Sequence, residues 1–534
     1  MINSRAGRLA SHAALCLAQV AALAAIALPF DRIRGFPLDD AWIHQVVART
    51  FAATGTLGYV PGMHGSAATS YLWAAMLSAN FRWVHGDPVV FALVLNVALH
   101  LAASQLLLRL LLRDGDSWVE ALALAALATL GGNVLWFALS GMEATLFIFL
   151  SCAAVALWHA PADRRGLTAV GSGLALGLLA LTRPEAAPLA VVLALRGRAA
   201  SRGSTDVLRL LAPWTVALLL YFGSNLALTG SAFPSTLEGR RWLWFATSAG
   251  DSRLDLAAKF LLAWARRLGE STLATRAPWV LWTSLALALH GGGVVVQRGY
   301  RGMLSLGLLA LVHAGIYLVL LPSPGHGGRY QPLVPLVYMM LVGVGAQALV
   351  ASVATLLRRN LAARGAALTL VALLPWGALV ASGIEQWRQC HELAVKHIQD
   401  TELRVAGMVR ALPASARVAS FDIGTVGYFG RHDILDLGGL IDPSIVPLLK
   451  TGQVWRALRA RQIEYLVLPL GYNPSFPDMF NFAFRLCLVD QRAARLELLA
   501  TVVSPMQVWL PGILSTGHAA PRQGVFRVHF EAQP

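Results

Sequence analysis

Phe36-Pro-Leu-Asp-Asp-Ala-Trp-Ile-His-Gln-Val-Val-Ala-Arg49 is an acidic, polar interruption between long apolar runs. One run, at 11–30, ends just before it, and the next begins near residue 88. Adjacent carboxylates at a membrane boundary are costly to desolvate and tend to be functional. A second reading makes Asp39 the N-cap of a following helix and places Asp40 in its favourable first turn. That helix carries Ile43, Val47 and Phe51 as an apolar stripe, with His44 one turn after Asp40. A cap explains one aspartate better than two.

Outward from this segment, eleven mostly apolar runs precede residue 382, near 11–30, 88–112, 119–139, 144–160, 167–182, 184–196, 207–228, 278–296, 302–321, 331–357 and 363–381. Each approaches the roughly 20 residues that a bilayer core requires. The first follows Arg5 and Arg8 but has no clear small-x-small cleavage site after it, so it is read as a retained helix rather than a signal peptide. The 534 residues are 56% hydrophobic and only 13% charged, which excludes an ordinary cytosolic enzyme.

The net charge of +15 raises the question of nucleic acid, and the position of the cations answers it. Residues 1–381 hold 28 Lys and Arg against 15 Asp and Glu, whereas 382–534 hold 15 against 13. The excess lies among the apolar runs, where cations flank spans, and no nucleic-acid partner is expected. With the N-terminus inside, the short cytoplasmic loops receive Arg109 and Arg113, Arg164 and Arg165, Arg196 to Arg209, Arg298 and Arg301, and Arg358 to Arg364. The opposite side receives Asp39-Asp40, Ser140-Gly-Met-Glu143, Thr182-Arg-Pro-Glu185, the 229–277 loop, Pro324-Gly-His-Gly-Gly-Arg-Tyr330 and the C-terminal region. One outward-facing site is the economical reading.

Within the 229–277 loop, residues 253–267 have apolar positions at helical spacing with cations between them, which suits a helix lying in the interface or a buried bundle helix. From about residue 382 the composition is that of a small soluble α/β unit: helix at 402–412, strand at 417–421, helix at 455–462 and strand at 463–469. Further strands are expected near 500–504, 507–510 and 525–530, in the same sheet or a separate one. Gly424, Gly427 and Gly438-Gly439 follow strand-like runs without forming GxGxxG, so they read as turn glycines. Asp422, Asp433 and Asp436 read as strand-end and turn residues. The four cysteines, Cys16, Cys152, Cys390 and Cys487, show no metal or redox spacing, although Cys390 and Cys487 could pair in an oxidising compartment.

The first-loop segments Asp39-Asp-Ala-Trp-Ile-His44, Gly55-Thr-Leu-Gly-Tyr-Val-Pro-Gly62 and Ser66-Ala-Ala-Thr-Ser-Tyr-Leu-Trp73 are followed in order by Ser140-Gly-Met-Glu-Ala-Thr-Leu-Phe147, Leu181-Thr-Arg-Pro-Glu185, Gly230-Ser-Ala-Phe-Pro-Ser-Thr236 and His326-Gly-Gly-Arg-Tyr330. In the tail come Asp422-Ile-Gly-Thr-Val-Gly-Tyr428 and Ile434-Leu-Asp-Leu-Gly-Gly-Leu440. Together they resemble bacterial membrane glycosyltransferases of the GT-C superfamily, among them arabinofuranosyl- and mannosyltransferase-like members with a periplasmic extension. Ser235 and Trp42 depart from that pattern, which often has Asn and Tyr at these places.

The resemblance implies a polytopic α-helical membrane domain, 1–381, and a C-terminal soluble periplasmic α/β domain, 382–534, in a bacterial inner membrane. It implies transfer of a sugar from a polyprenyl-phosphate carrier to an envelope glycan or lipid acceptor, with inversion. Asp39 or Asp40 matches the general base of that family, and a carboxylate within hydrogen-bond reach of the acceptor hydroxyl meets the chemical requirement. The phosphate leaving group needs cationic donors, which Arg183, His326 and Arg329 could supply, or Arg240 and Arg241 from the loop side. His44, Glu143, Glu185 and Tyr330 complete the candidate substrate-binding residues. Plainer alternatives stay open: Glu143 and Glu185 as partners that only pair with Arg183 or another arginine, and Arg329 and Tyr330 as anchors of a span at the interface. His100, His290 and His313 read as packing histidines. His44 and His64 with an aspartate make a thin case for a metal, so no obligatory cofactor is expected, although a divalent ion is not ruled out. The competing functions are a transporter or flippase of polyprenyl-linked saccharides, which would favour midplane charges and paired repeats, and a non-catalytic envelope assembly protein.

Overall fold

A computed structural model describes every residue except 1–4, 29–33, 62–68, 115–116, 162–164, 200–201, 248–250, 357–364, 443, 471–493, 504–521 and 531–534. His64, Cys487 and the strand expected at 507–510 therefore lie outside the described residues. The apolar runs fold as helices, because a chain in hydrocarbon must satisfy its own backbone polar groups. Eight are long and apolar enough to cross a bilayer: Arg5–Ala27, Pro88–Arg113, Arg165–Thr182, Ser204–Thr229, Pro278–Arg298, Arg301–Leu320, Leu333–Leu356 and Ala367–Arg410.

The remaining three runs form shorter helices. The run 119–139 is divided into Trp118–Thr129, started by a Ser117–Glu120 capping box, and Gly132–Phe137. The break admits the indole of Trp387 where a Cβ on Gly132 would stand. The run 144–160 is Ala144–Trp158, with 15 residues, and Pro184 interrupts 184–196 with a single 3-10 turn before Leu189–Ala199.

Leu333–Leu356 is the central helix: 72% of its apolar window is buried, against 11% for Ser204–Thr229 at the periphery. Its crossing with Pro278–Arg298 is set by a reciprocal pair of glycines. A Cβ on Gly291 would collide with the Leu341 carbonyl, and one on Gly345 with that of Leu287. Such small-residue contacts let helices approach closely where water supplies no driving force. In the segment expected to lie at the interface, the helix Arg253–Arg266 buries Leu256, Phe260 and Trp264 at four-residue intervals and leaves Leu254, Leu261 and Leu262 exposed.

The helix Gly365–His397 continues past residue 382 without interruption and leads through a π turn, Ile398–Glu402, into Leu403–Arg410. Five strands follow: β1 Val418–Ser420, β2 Ile434–Asp436, β3 Tyr465–Pro469, β4 Ala494–Val503 and β5 Arg522–Phe530. They form one sheet in the order β2-β1-β3-β5-β4, parallel across β2, β1 and β3 and antiparallel across β3, β5 and β4. The strands expected at 500–504 and 525–530 therefore join the main sheet.

Side chains alternate between its two faces, as the two-residue period of a strand requires. Val418, Ile434, Val467 and Val525 pack with Val46, Val47 and Tyr59 of the first loop, while Ala419, Leu435, Leu466 and Phe526 pack with Ile445, Leu449, Val454 and Leu458 of the tail's own helices. One sheet face is thus a core shared with the segment that follows the first span.

Candidate active site

The helix that begins with the aspartate pair runs Asp39–Thr54. Leu38, not Asp39, occupies its N-cap position, and no side-chain cap forms there. The Asp39 carboxylate turns instead to the tail, where it accepts hydrogen bonds from Gly424 N at 2.7 Å, Thr425 N at 2.6 Å and Thr425 Oγ1 at 2.6 Å. The alternative reading of Asp39 as N-cap therefore does not hold: its carboxylate serves a backbone 385 residues away. Trp42 fixes the same helix through ring contacts with Phe36 at 5.0 Å, Tyr428 at 4.8 Å and Phe429 at 4.7 Å.

Asp40 points the other way and forms an ion pair with Arg329. Its side chain is 33% exposed, whereas that of Arg329 is 2% exposed, so the carboxylate looks from a buried cation into open space. Arg329 Nε and Nη1 are buried and have no hydrogen-bond partner among the described residues. Burial alone would raise the Asp40 pKa, but the charges of Arg329, Arg240 and His326 outweigh it and hold the carboxyl well below the usual range. Asp39 goes the opposite way. Burial raises it against the bonds from Thr425 and Gly424, and the neighbouring Asp40 charge adds to the rise.

Tyr330 is the hub of the cationic side. The guanidinium carbons of Arg183, Arg240 and Arg329 each lie 5.4 Å from its ring centroid, a distance at which the ring quadrupole favours cations. The turn that delivers Arg329 and Tyr330 needs glycine: Gly325, Gly327 and Gly328 all have positive φ, and a Cβ on Gly325 would run into the Tyr330 ring. Arg267 Nε donates to the Gly325 carbonyl at 2.9 Å and secures the turn from beneath.

A deeper layer backs this cluster. Arg183 Nη2 donates to Glu143 Oε1 at 2.5 Å and its Nη1 to Tyr317 Oη at 2.8 Å, while Tyr317 donates to Glu185 Oε1 at 2.9 Å. Glu143 thus pairs with Arg183, and Glu185 joins through a tyrosine. His44 Nε2 lies 3.5 Å from Glu143 Oε2, and both side chains are buried. His326 is half-buried beside the cluster, whereas Arg241 is exposed. His313 stacks on Phe147 at 4.6 Å.

Most of the predicted residues are therefore brought together, but as two shells. Asp40, Arg240, His326 and Tyr330 are partly exposed around buried Arg329; His44, Glu143 and Arg183 are buried, and half-buried Glu185 joins them through Tyr317. Tyr317, Thr425 and Gly239 were not singled out from the sequence. A tyrosine at the end of an apolar helix signals Tyr317 only weakly, and Thr425 and Gly239 have no local pattern. Among the described residues no group of three or more His, Cys, Asp or Glu is arranged to hold a metal ion.

A family model described as a domain of unknown function, DUF8728, matches residues 392–510. No curated protein matches the chain in sequence. Solved structures do match in fold. The apo oligosaccharyltransferase of Archaeoglobus fulgidus aligns with TM-score 0.54 at 12% identity over 86% of this chain and 69% of its own. ArnT from Cupriavidus metallidurans bound to undecaprenyl phosphate aligns with TM-score 0.50 at 13% identity over 98% of both chains. The arabinofuranosyltransferase AftD from Mycobacteria gives TM-score 0.50 at 16% identity over 98% of this chain and 41% of that longer one. The chain thus shares the overall fold of these three structures, although its sequence is only 12–16% identical to theirs.

Proposed function

We propose that the protein is a membrane glycosyltransferase that moves a sugar from a polyprenyl-phosphate carrier to a hydroxyl of an envelope glycan or lipid, with inversion at the anomeric carbon. The observation that carries this reading is the ion pair between half-open Asp40 and buried Arg329, set among the arginines around Tyr330. The match to a fold neighbour recorded with undecaprenyl phosphate supports the class of carrier, as does a second recorded with a dolichol-phosphate and an inhibitory peptide.

The donor phosphate meets Arg240 and His326 and takes up the buried, unpartnered donors of Arg329 as the site adjusts. Anion binding there draws Arg329 away from Asp40, and the carboxylate becomes a stronger base as its counter-charge is shared. The acceptor oxygen then attacks the anomeric carbon, its proton passes to Asp40, and the carbon–oxygen bond to phosphate breaks with its electron pair retained by the leaving phosphate. The cations stabilise that charge as it develops. Asp39 is structural in this scheme. The apolar carrier enters between spans, and the tail shapes the acceptor side, in a bacterial inner membrane with the N-terminus cytoplasmic and the tail periplasmic.

The test is transfer from radiolabelled polyprenyl-phosphate sugars to envelope extract by purified protein, comparing wild type, Asp39→Asn and Asp40→Asn. Loss of about 10²-fold or more in Asp40→Asn, with donor binding retained, is the expected result. Transfer by Asp40→Asn at the wild-type rate, or none by wild type from a broad donor panel, would end this reading.

A further inference from the structure

Two loops of the tail reach the site, and they leave the same edge of the sheet. Strands β1 and β2 are parallel neighbours in register, Val418 opposite Ile434 and Ser420 opposite Asp436. The loop after β1 presents Gly424 and Thr425 to Asp39. The loop after β2 is drawn into a tight turn by buried Asp436, whose carboxylate accepts from Gly438 N at 2.7 Å and Ile441 N at 2.8 Å. That turn rests on the helix Ser235–Thr247, which carries Arg240.

Two contacts define the seat. Ser235 Oγ donates to the Leu440 carbonyl at 3.1 Å. Gly239 lies so close to the tail that a Cβ on it would overlap the carbonyl of Gly439, a backbone atom that cannot swing aside. Arg240 is the next residue. The two strand-end loops thus grip the two elements that supply Asp40 and Arg240, each through the residue just before the functional one: Asp39 before Asp40, and Gly239 before Arg240.

We propose that the C-terminal sheet is the positioning frame of the site and that Gly239 is the positioning residue through which the β2 loop sets the Arg240 guanidinium at the phosphate. In open α/β sheets the loops at the carboxyl ends of parallel strands form the functional edge. Here that edge aligns the catalytic groups of another domain. The inference rests on the reading of Arg240 as a phosphate ligand, and its first test does not.

Hydrogen exchange is measured on the full-length protein in detergent without ligand. Gly239→Ala pushes the turn away and raises exchange in residues 235–241 about tenfold, an effect on the order of one lost close contact and its hydrogen bond. Ser235→Ala, which removes the hydrogen bond to the Leu440 carbonyl, raises it less and serves if Gly239→Ala does not fold. Unchanged exchange in the folded variants overturns the frame. Affinity for undecaprenyl phosphate is then compared across Gly239→Ala, Arg240→Ala and the double variant. Gly239→Ala weakens binding about tenfold alone and adds little once Arg240 is absent. An equal loss in both backgrounds overturns the role through Arg240. If wild type does not bind undecaprenyl phosphate while the exchange rises, the carrier reading fails and the frame stands.

Discussion

On one side of the helix Asp39–Thr54, Asp40 meets a buried arginine within a group of three guanidiniums around the Tyr330 ring. On the other, Asp39 approaches a pocket of the tail in which acids outnumber cations. There Gln523 Nε2 donates to Glu402 Oε1 at 2.8 Å and to Asp422 Oδ2 at 2.7 Å, so two carboxylates share one neutral amide. Burial, aided by the Asp39 charge, pushes Asp422 up to about 7. Adjacent residues of one type thus sit in opposite fields, one held ionised and the other in a cluster that retains protons. The difference teaches that an acid pair can divide its labour: one member joins the domains while the other stays available for chemistry.

The largest effect expected is the contrast between Asp40→Asn and Asp39→Asn. The first removes the carboxylate from the cationic side and costs about 10²-fold or more in transfer rate with little change in melting temperature. The second keeps an acceptor for Thr425 and Gly424 but weakens three charge-assisted bonds, so it lowers melting temperature more than rate. Comparable losses of activity in both variants, in assays run well below their melting points, would erase the distinction between the two sides.

Glu143→Gln probes how far the cationic side depends on its backing layer. The variant keeps an oxygen acceptor for Arg183 but removes the paired charge of a guanidinium whose side chain is only 2% exposed. Breaking a buried pair from one end costs about 3 kcal/mol or more. Thermal unfolding in detergent reads this as a clear drop in melting temperature, accompanied by loss of donor affinity as Arg183 shifts beneath Tyr330. A variant as stable as wild type would show that Glu143 does not neutralise Arg183.

Asp422→Asn sharpens the acid side through pH. In the folded chain Asp422 titrates near 7, whereas an unfolded aspartate titrates at about 3.9. The folded state therefore binds more protons between those values, and stability falls as pH rises through the window. Relative to Asp422→Asn, wild type is expected to lose ~2 kcal/mol more stability between pH 5 and pH 8. The asparagine variant keeps an acceptor for Gln523 and lacks this contribution. An equal pH dependence of melting in the two proteins contradicts proton retention at Asp422.

The contrast also separates what the sequence makes legible from what it does not. Spans are written locally, in apolar runs, and the cationic residues lie in the polar segments that interrupt those runs. Helix breaks such as Leu130-Gly131 are less visible, since the run stays apolar while Trp387, more than 250 residues on, fills the gap. Asp39 and Asp40 are indistinguishable in sequence because their partners, Thr425 and Arg329, lie 386 and 289 residues away. Gly239 carries no local signal at all; its meaning comes from the carbonyl that meets it.

Arg240 and Arg241 pose the same adjacent-pair question on the loop side, with the smallest effect expected. Consecutive positions on a helix project about 100° apart, so two neighbouring arginines cannot both face one site. Arg240 lies 5.4 Å from the Tyr330 centroid and contributes to holding Asp40 ionised, while Arg241 is exposed. An exposed charge more than a Debye length from the reacting phosphate is screened, and even a nearer one acts through water. Arg241→Ala is therefore expected to leave affinity for undecaprenyl phosphate within about twofold, against about tenfold loss for Arg240→Ala. Equal losses would mean that the helix Ser235–Thr247 rotates on binding, placing the two arginines on a common anion and making the tail's grip at Gly239 a restraint to be released rather than a seat.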